Sequence, residues 1–237
     1  MSILDLMYPS ISAIIPLHNK SSEIKHTLES LFHYFTIKNL DYEVIIVENG
    51  SIDNSKLITE EFIKNHKNMY LFESEKGLGK ALKFGIEKST KQVIWFVPAD
   101  FLFETSDINY YLTHDIYPQF SICSRAHPES EVNRAINRRL ISYIYFLIYK
   151  TVLGLNIRDL QGAFIGEALS IKKVTKTVKS DNFFFQTELI SRYIKIYSSF
   201  TEIPVSVYES ETNKTTIKFF RDIFRFIRDL FNYKLDK

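Results

Sequence analysis

The chain has 237 residues, 45% hydrophobic and 24% charged, with a net charge of only +2. These values support a packed core in one sizeable domain, exclude global disorder and give no reason to expect nucleic acid as a partner. The single cysteine, Cys123, excludes an intrachain disulfide framework and a paired-cysteine metal site, and points to a reducing compartment.

Residues 1–10 contain Asp5 and Pro9 and no long apolar core, so no signal peptide is expected. Ile11 to Pro16 is a short β-branched run closed by proline, the pattern of a buried strand. Helical periodicity follows from Ser22 through Ile24, Leu28, Leu31, Phe32 and Phe35. Glu43 to Val47 predicts a second buried strand, broken by Glu48-Asn49-Gly50-Ser51. Asp53 or Ser51 can then cap a helix reaching about Asn65. Met69 to Phe72 reads as a third strand, and Gly77 and Gly79 open a helix over Lys80 to Glu87. Gln92 to Val97 is a fourth strand, ending at Pro98-Ala99-Asp100.

Strands alternating with helices imply right-handed crossovers and a mostly parallel sheet, in which ligands bind beyond the carboxyl ends of the strands. His18-Asn19, Glu48-Asn49 and Asp100 all fall at such ends, which suggests one cleft. Each is also ordinary turn chemistry taken alone. Gly50-Ser51 can simply supply a turn and a cap, and Gly77-Leu78-Gly79 lacks the full G-x-G-x-x-G of a dinucleotide loop. The order and spacing of the whole set favour the cleft.

Ile15-Pro16-Leu17-His18-Asn19, Val47-Glu48-Asn49-Gly50-Ser51-Ile52-Asp53, Lys76-Gly77-Leu78-Gly79-Lys80-Ala81 with Gly85, and Pro98-Ala99-Asp100 resemble, in that order, four motifs of glycosyltransferase family 2. Ser124-Arg125-Ala126-His127, Arg134, Arg138 and Ile157-Arg158-Asp159-Leu160-Gln161 resemble one branch, the dolichyl-phosphate glucosyltransferases and mannose synthases. The resemblance covers roughly residues 11 to 215. It implies an α/β fold of the GT-A nucleotide-diphospho-sugar transferase type, a mostly parallel central sheet flanked by helices, over residues 1–212.

The resemblance also implies roles. Pro16, Asn19, Glu48, Asn49, Gly50 and Ser51 would hold the base and ribose of a nucleotide-sugar donor, with Lys76, Gly79 and Lys80 towards its diphosphate. Asp100 would hold Mg2+ or Mn2+ and, with Arg125, serve catalysis. Arg125, Arg134, Arg138, Gln161 and Lys214 would grip the phosphate of a polyprenyl acceptor. Arg134 and Arg138, four residues apart, share a helix face; a solvated basic face beside Glu129 and Glu131 is the alternative, and the phosphate grip is favoured over it because Arg125 belongs to the same matched motif. Several positions depart from the pattern. Pro98 replaces the first metal-motif carboxylate, Glu48-Asn49 stands for Asp-Asp, Lys20 replaces a glutamate and His18 an aromatic residue. Ile165 replaces a lysine and Gln186 an acid.

Residues 139–153 are nearly apolar all round, so this helix is expected to be buried or to touch lipid, burial being favoured. The longest apolar stretch in it, Leu140 to Tyr149, is half the roughly 20 residues that a bilayer span takes. Residues 213–237 form a basic amphipathic helix. Ile217, Phe220, Phe224, Ile227 and Phe231 make a stripe flanked by Phe219, Ile223, Phe226 and Leu230, opposite Lys218, Arg221, Arg225 and Arg228. Such a helix suits a membrane interface or docking on the domain. The expectation is an inverting hexosyltransferase acting peripherally on the cytoplasmic face of a membrane. The rival readings are transfer to a sugar hydroxyl, with Glu188 as the one matched carboxylate, and a non-catalytic sugar-nucleotide-binding protein.

Overall fold

The computed structural model describes residues 8–100, 105–113, 118–133, 135–208 and 219–235. In chain order the first half comprises β1 (Ile11–Leu17), α1 (Ile24–Ile37), β2 (Tyr42–Glu48), α2 (Ser55–Ile63), β3 (Met69–Glu73), α3 (Leu78–Lys88) and β4 (Val93–Phe96). The second half adds α4 (Ser106–Leu112), β5 (Phe120–Cys123), β6 (Glu131–Asn133), α5 (Ile136–Leu153), β7 (Phe164–Glu167) and α6 (Ala168–Thr175). It closes with α7 (Phe185–Tyr197), β8 (Thr201–Ile203), β9 (Ser206–Tyr208) and α8 (Phe219–Leu235).

One seven-stranded sheet runs β3-β2-β1-β4-β7-β5-β8, and β6 pairs with β9 as a separate ribbon. The pairs β1–β2, β2–β3, β1–β4 and β5–β8 are parallel, while β7 is antiparallel to both β4 and β5. β1 is buried along its whole length, as expected for a central strand covered on both faces. Helices α1 and α2 pack on each other, and α3 packs on β1, β2, α6 and α7, giving the two covering layers. The first-half elements fall where the hydrophobic pattern predicts them, with ends shifted by one to three residues. Gly79 is an exception of substance, because it lies inside α3 rather than ahead of it.

Strand order reverses between β1 and β4, and that is where a crevice opens in such sheets. The sequence supplies a physical cause. Leu17 O accepts from Asn49 N towards β2, and Ile14 O accepts from Val97 N towards β4. Even-numbered residues of β1 therefore face β4, and at Pro16 the missing N–H removes the next bond of that ladder. The β1–β4 register indeed ends at Ile14↔Phe96, while β1–β2 continues to Leu17↔Glu48.

Because β4 and β5 both run antiparallel to β7, the carboxyl ends of β1, β2, β4, β5 and β8 all lie at one edge of the sheet. The segment entering β7, Asp159 to Ala163, joins them there. Buried Asp107 pins α4 under this edge. It accepts from Trp95 Nε1 at 2.9 Å and from Ile108 N at 2.8 Å, and Cys123 Sγ lies 3.6 Å away. Burial pushes its carboxyl up to about 6, against the lowering by the Trp95 bond.

The tail helix docks. Phe226, Leu230 and Tyr233 are buried, Phe226 packs edge-on against Tyr145 and Phe184, and Tyr233 OH accepts from Lys195 Nζ at 2.8 Å. The buried face is thus one flank of the predicted stripe, and Phe224, Phe231 and Leu235 point outward. Helix α5 also divides. Tyr145, Phe146 and Tyr149 are buried, but Ile136, Leu140, Tyr143 and Leu147 form an exposed ridge at helical spacing. Burial therefore holds for one face only. Among the described residues no helix is long and apolar enough to cross a membrane.

Candidate active site

The ends of β1 and β2 are stapled by their own polar residues. Asn49 Nδ2 donates to Leu17 O at 2.9 Å, Asn19 N donates to Ser51 Oγ at 3.1 Å, and Ile52 N donates to Asn19 Oδ1 at 2.8 Å. Asn19 sits at φ 51°, a left-handed conformation that asparagine tolerates. Ser51 N donates to the Glu48 carboxylate. Burial raises that carboxyl, but the Ser51 and Gly50 bonds outweigh it and hold it below the usual range. Asp53 accepts from Ser21 N and Ser55 N, each at 3.0 Å, and from the Ser55 hydroxyl, which overcome its burial and bring it to about 2. The result is a rigid anionic rim beside Pro16, with Asn19 and Gly50 exposed on it.

Lys76 is exposed, and its Cβ lies 3.4 Å from where a Cβ on Gly50 would sit. Lys80 is clasped by Glu75. The glycines between them answer to packing. A Cβ on Gly77 would stand 2.5 Å from Asp181 O, and one on Gly79 2.6 Å from Asp181 C. The backbone around Asp181 thus lies across the amino end of α3, where Lys80 N donates to Asp181 O at 3.3 Å.

Asp100 follows β4, its preceding residue fixed by a 2.9 Å bond from Thr27 Oγ1 on α1 to Ala99 O. Its carboxylate accepts from Lys20 Nζ at 3.1 Å, and Glu23 Oε1 lies 3.6 Å from the same ammonium. Two carboxylates around one cation is a donor set that suits a divalent ion completed by phosphate oxygens. Among the described residues no group of three or more His, Cys, Asp or Glu converges to hold a metal ion.

At the other end of the same sheet edge, Arg125 is held in a fork. Its Nε and Nη2 donate to Asp159 at 2.7 Å each, and its backbone N adds a third bond at 3.1 Å. Beside it opens a cavity of about 800 Å³ lined by Arg125, His127, Arg139, Lys150 and Arg158, with Asp159 the one acid among the described lining residues. Arg139, Tyr143, Phe146 and Lys150 reach it from one face of α5. Arg138 is partly buried on the first turn and is not among the lining residues. Arg134 and Lys214 lie outside the described residues. Gln161 is partly buried in the same segment, its carbonyl accepting from Gln186 Nε2 at 3.1 Å. Gln186 also donates to Gly162 O at 3.0 Å, which explains an amide at a position where a carboxylate could not donate.

Sequence reasoning singled out neither Arg139, Arg158 and Lys150 as lining residues nor the Arg125–Asp159 fork. The spacing of Arg139 and Lys150, three helical turns apart, was the available signal. Glu188 is buried and fully occupied, accepting from Lys179 N, Ser180 N, the Ser180 hydroxyl and Arg192 Nε. Burial raises its carboxyl, but these bonds, led by the Ser180 hydroxyl, hold it below the usual range.

Residues 12–171 match the sequence profile of Glycosyl transferase family 2. Glycosyltransferase AglE of Haloferax volcanii is 31% identical over 94 residues, which are 39% of this chain and 31% of that protein. Poly-beta-1,6-N-acetyl-D-glucosamine synthase of Staphylococcus epidermidis is 29% identical over 106 residues, 44% of this chain and 25% of that one. The matches thus span less than half the length of these curated relatives. Glucosyl-3-phosphoglycerate synthase from Mycobacterium tuberculosis, solved with Mn2+, uridine-diphosphate and phosphoglyceric acid, superposes with a TM-score of 0.68. The superposition has 13% identity and covers 96% of this chain and 78% of that one, a likeness of fold. With its profile match across most of the sheet and its α/β GT-A architecture, the chain belongs to glycosyltransferase family 2.

Proposed function

We propose that this glycosyltransferase moves a hexose from a nucleotide-sugar donor, UDP- or GDP-linked, to a polyprenyl phosphate at a membrane surface, with inversion at the anomeric carbon. The basic cavity carries the reading. Arg125, Arg139 and Arg158 line it, and Tyr143, itself 56% exposed, joins it to the apolar ridge of Ile136, Leu140 and Leu147. An anionic head on a long apolar chain matches that pair of surfaces. Helix α8 adds outward Phe224, Phe231 and Leu235 beside exposed Arg225 and Arg228, a composition suited to an anionic lipid interface.

The chemistry asks little of the protein. A phosphate monoester with a second pKa of about 6 is largely dianionic at neutral pH, so no residue has to remove a proton. One phosphate oxygen attacks the anomeric carbon, the bond from that carbon to the diphosphate breaks, and the nucleoside diphosphate departs with the electron pair. Arginine forks neutralise and aim the nucleophile, and the Asp159 clamp fixes the Arg125 orientation. A divalent cation at Asp100 would stabilise charge on the departing diphosphate.

The poly-N-acetylglucosamine synthase relative favours a second reading, transfer to a sugar hydroxyl. That reaction needs a carboxylate base, and Glu188 is already committed to four donors within the fold. The test is a panel of UDP- and GDP-sugars with magnesium or manganese, offered polyprenyl phosphate or oligosaccharides. A lipid-linked product supports the proposal, and an oligosaccharide product alone supports the second reading. Nucleotide binding without transfer or hydrolysis identifies a non-catalytic binder.

A further inference from the structure

The ammonium of Lys20 lies 3.1 Å from Asp100 Oδ2 and 3.6 Å from Glu23 Oε1, at the carboxyl end of β1 and next to the crevice. Its main chain is anchored. Lys20 N donates to Ser55 Oγ at 2.7 Å, and Lys20 O accepts from Glu23 N at 3.1 Å and Ile24 N at 2.9 Å. A flexible four-carbon stem on a fixed backbone can swing its charge without moving the chain. All three side chains are partly exposed, so the exchange needs no unfolding.

We infer that Lys20 is a resident counter-cation of the donor site. Its ammonium holds the position between Asp100 and Glu23 that a divalent cation would take, so the ion would bind weakly until a donor diphosphate draws the lysine away. The inference rests on the donor-site reading of this edge. Asp100 Oδ2 cannot serve an ammonium and a metal at contact distance together, since like charges there repel. A diphosphate offers Lys20 a new anionic partner and offers the metal further oxygens. Donor and cation therefore strengthen each other's binding, and the strengthening is reciprocal. With Asp100 as the only carboxylate of its motif, the lysine makes the site depend on the donor for its metal.

The test is a Mn2+ titration of the full chain, followed by the electron paramagnetic resonance signal of free Mn2+, with and without UDP. Without UDP, Lys20→Gln is expected to bind Mn2+ about tenfold tighter than the parent protein, and Lys20→Arg, which keeps the charge, to bind like the parent. UDP should tighten Mn2+ binding more in the parent than in Lys20→Gln. Equal Mn2+ affinity of parent and Lys20→Gln, in protein with an unchanged circular dichroism spectrum, overturns the inference. So does a tight site that survives in Lys20→Gln/Asp100→Asn. Failure of the parent protein to bind either UDP or GDP would instead sink the donor-site reading, while the nucleotide-free comparison still decides the role of Lys20.

Discussion

Replacing Asp159 with alanine would remove the acceptor of three hydrogen bonds, two from the Arg125 guanidinium at 2.7 Å and one from its backbone N at 3.1 Å. The carboxylate side chain is only 8% exposed and the arginine 21%, so the change strands a largely desolvated cation. Removing one member of such a pair costs about 3 to 5 kcal/mol, and the partial exposure of Arg125 argues for the lower end. For a domain of this size about 3 kcal/mol lowers Tm by roughly 6 to 12 °C. Urea denaturation can be followed through Trp95, the sole tryptophan and buried in β4. The Arg125→Met/Asp159→Ala double variant removes both charges, so its loss should fall short of the summed losses of Arg125→Met and Asp159→Ala by more than about 1 kcal/mol. A loss below about 1 kcal/mol for Asp159→Ala, or strict additivity in the cycle, would refute the clamp.

Gly79→Ala should destabilise by about 1 to 3 kcal/mol, because its Cβ would meet backbone around Asp181 that cannot step aside; an unchanged urea midpoint would show that the loop yields. Asp107 titrates at about 6 when folded and near 3.8 when unfolded. The folded state therefore binds the extra proton between those values, and this residue's contribution to stability falls by about 2 kcal/mol as pH rises from 4 to 6, out of about 3 kcal/mol over the whole transition, and levels off above the folded value. Subtracting the pH profile of Asp107→Asn should isolate that slope, and parallel profiles would contradict the assignment. Phe226→Ala should cost about 3 to 5 kcal/mol by opening the α5–α8 contact. Phe224→Glu/Phe231→Glu should leave the urea midpoint unchanged while lowering co-sedimentation with anionic vesicles, and retained vesicle binding would remove α8 from the membrane surface.

The half of the sheet built by β1 to β4 was legible because continuous apolar runs of buried parallel strands are separated by strong turn residues. The second half was not. β5, β7 and β8 are three or four residues long, and β7 owes its place to antiparallel pairing with strands distant in sequence, which periodicity cannot report. Asp100 was found as a motif residue, but its pairing with Lys20 depends on a turn that folds back from β1. Gly77 and Gly79 read in sequence as the opening of a helix, with Gly79 set towards a diphosphate by resemblance alone, whereas their strict requirement is the approach of Asp181. The tail was legible as an amphipathic helix, yet which flank docks depends on Tyr145 and Phe184, far away in the chain.

The most direct test of the proposed acceptor site is the kinetics of hexose transfer to polyprenyl phosphate by the parent protein, Arg139→Ala and Arg158→Ala, together with UDP or GDP affinity measured without acceptor. Each substitution removes a charge-assisted contact to phosphate worth roughly 1.5 to 3 kcal/mol, so acceptor-dependent kcat/KM should fall about tenfold to a hundredfold. Nucleotide affinity should stay unchanged. Undiminished lipid-phosphate transfer by both variants, or an equal loss of nucleotide affinity, would contradict the assignment of the basic cavity to the acceptor phosphate.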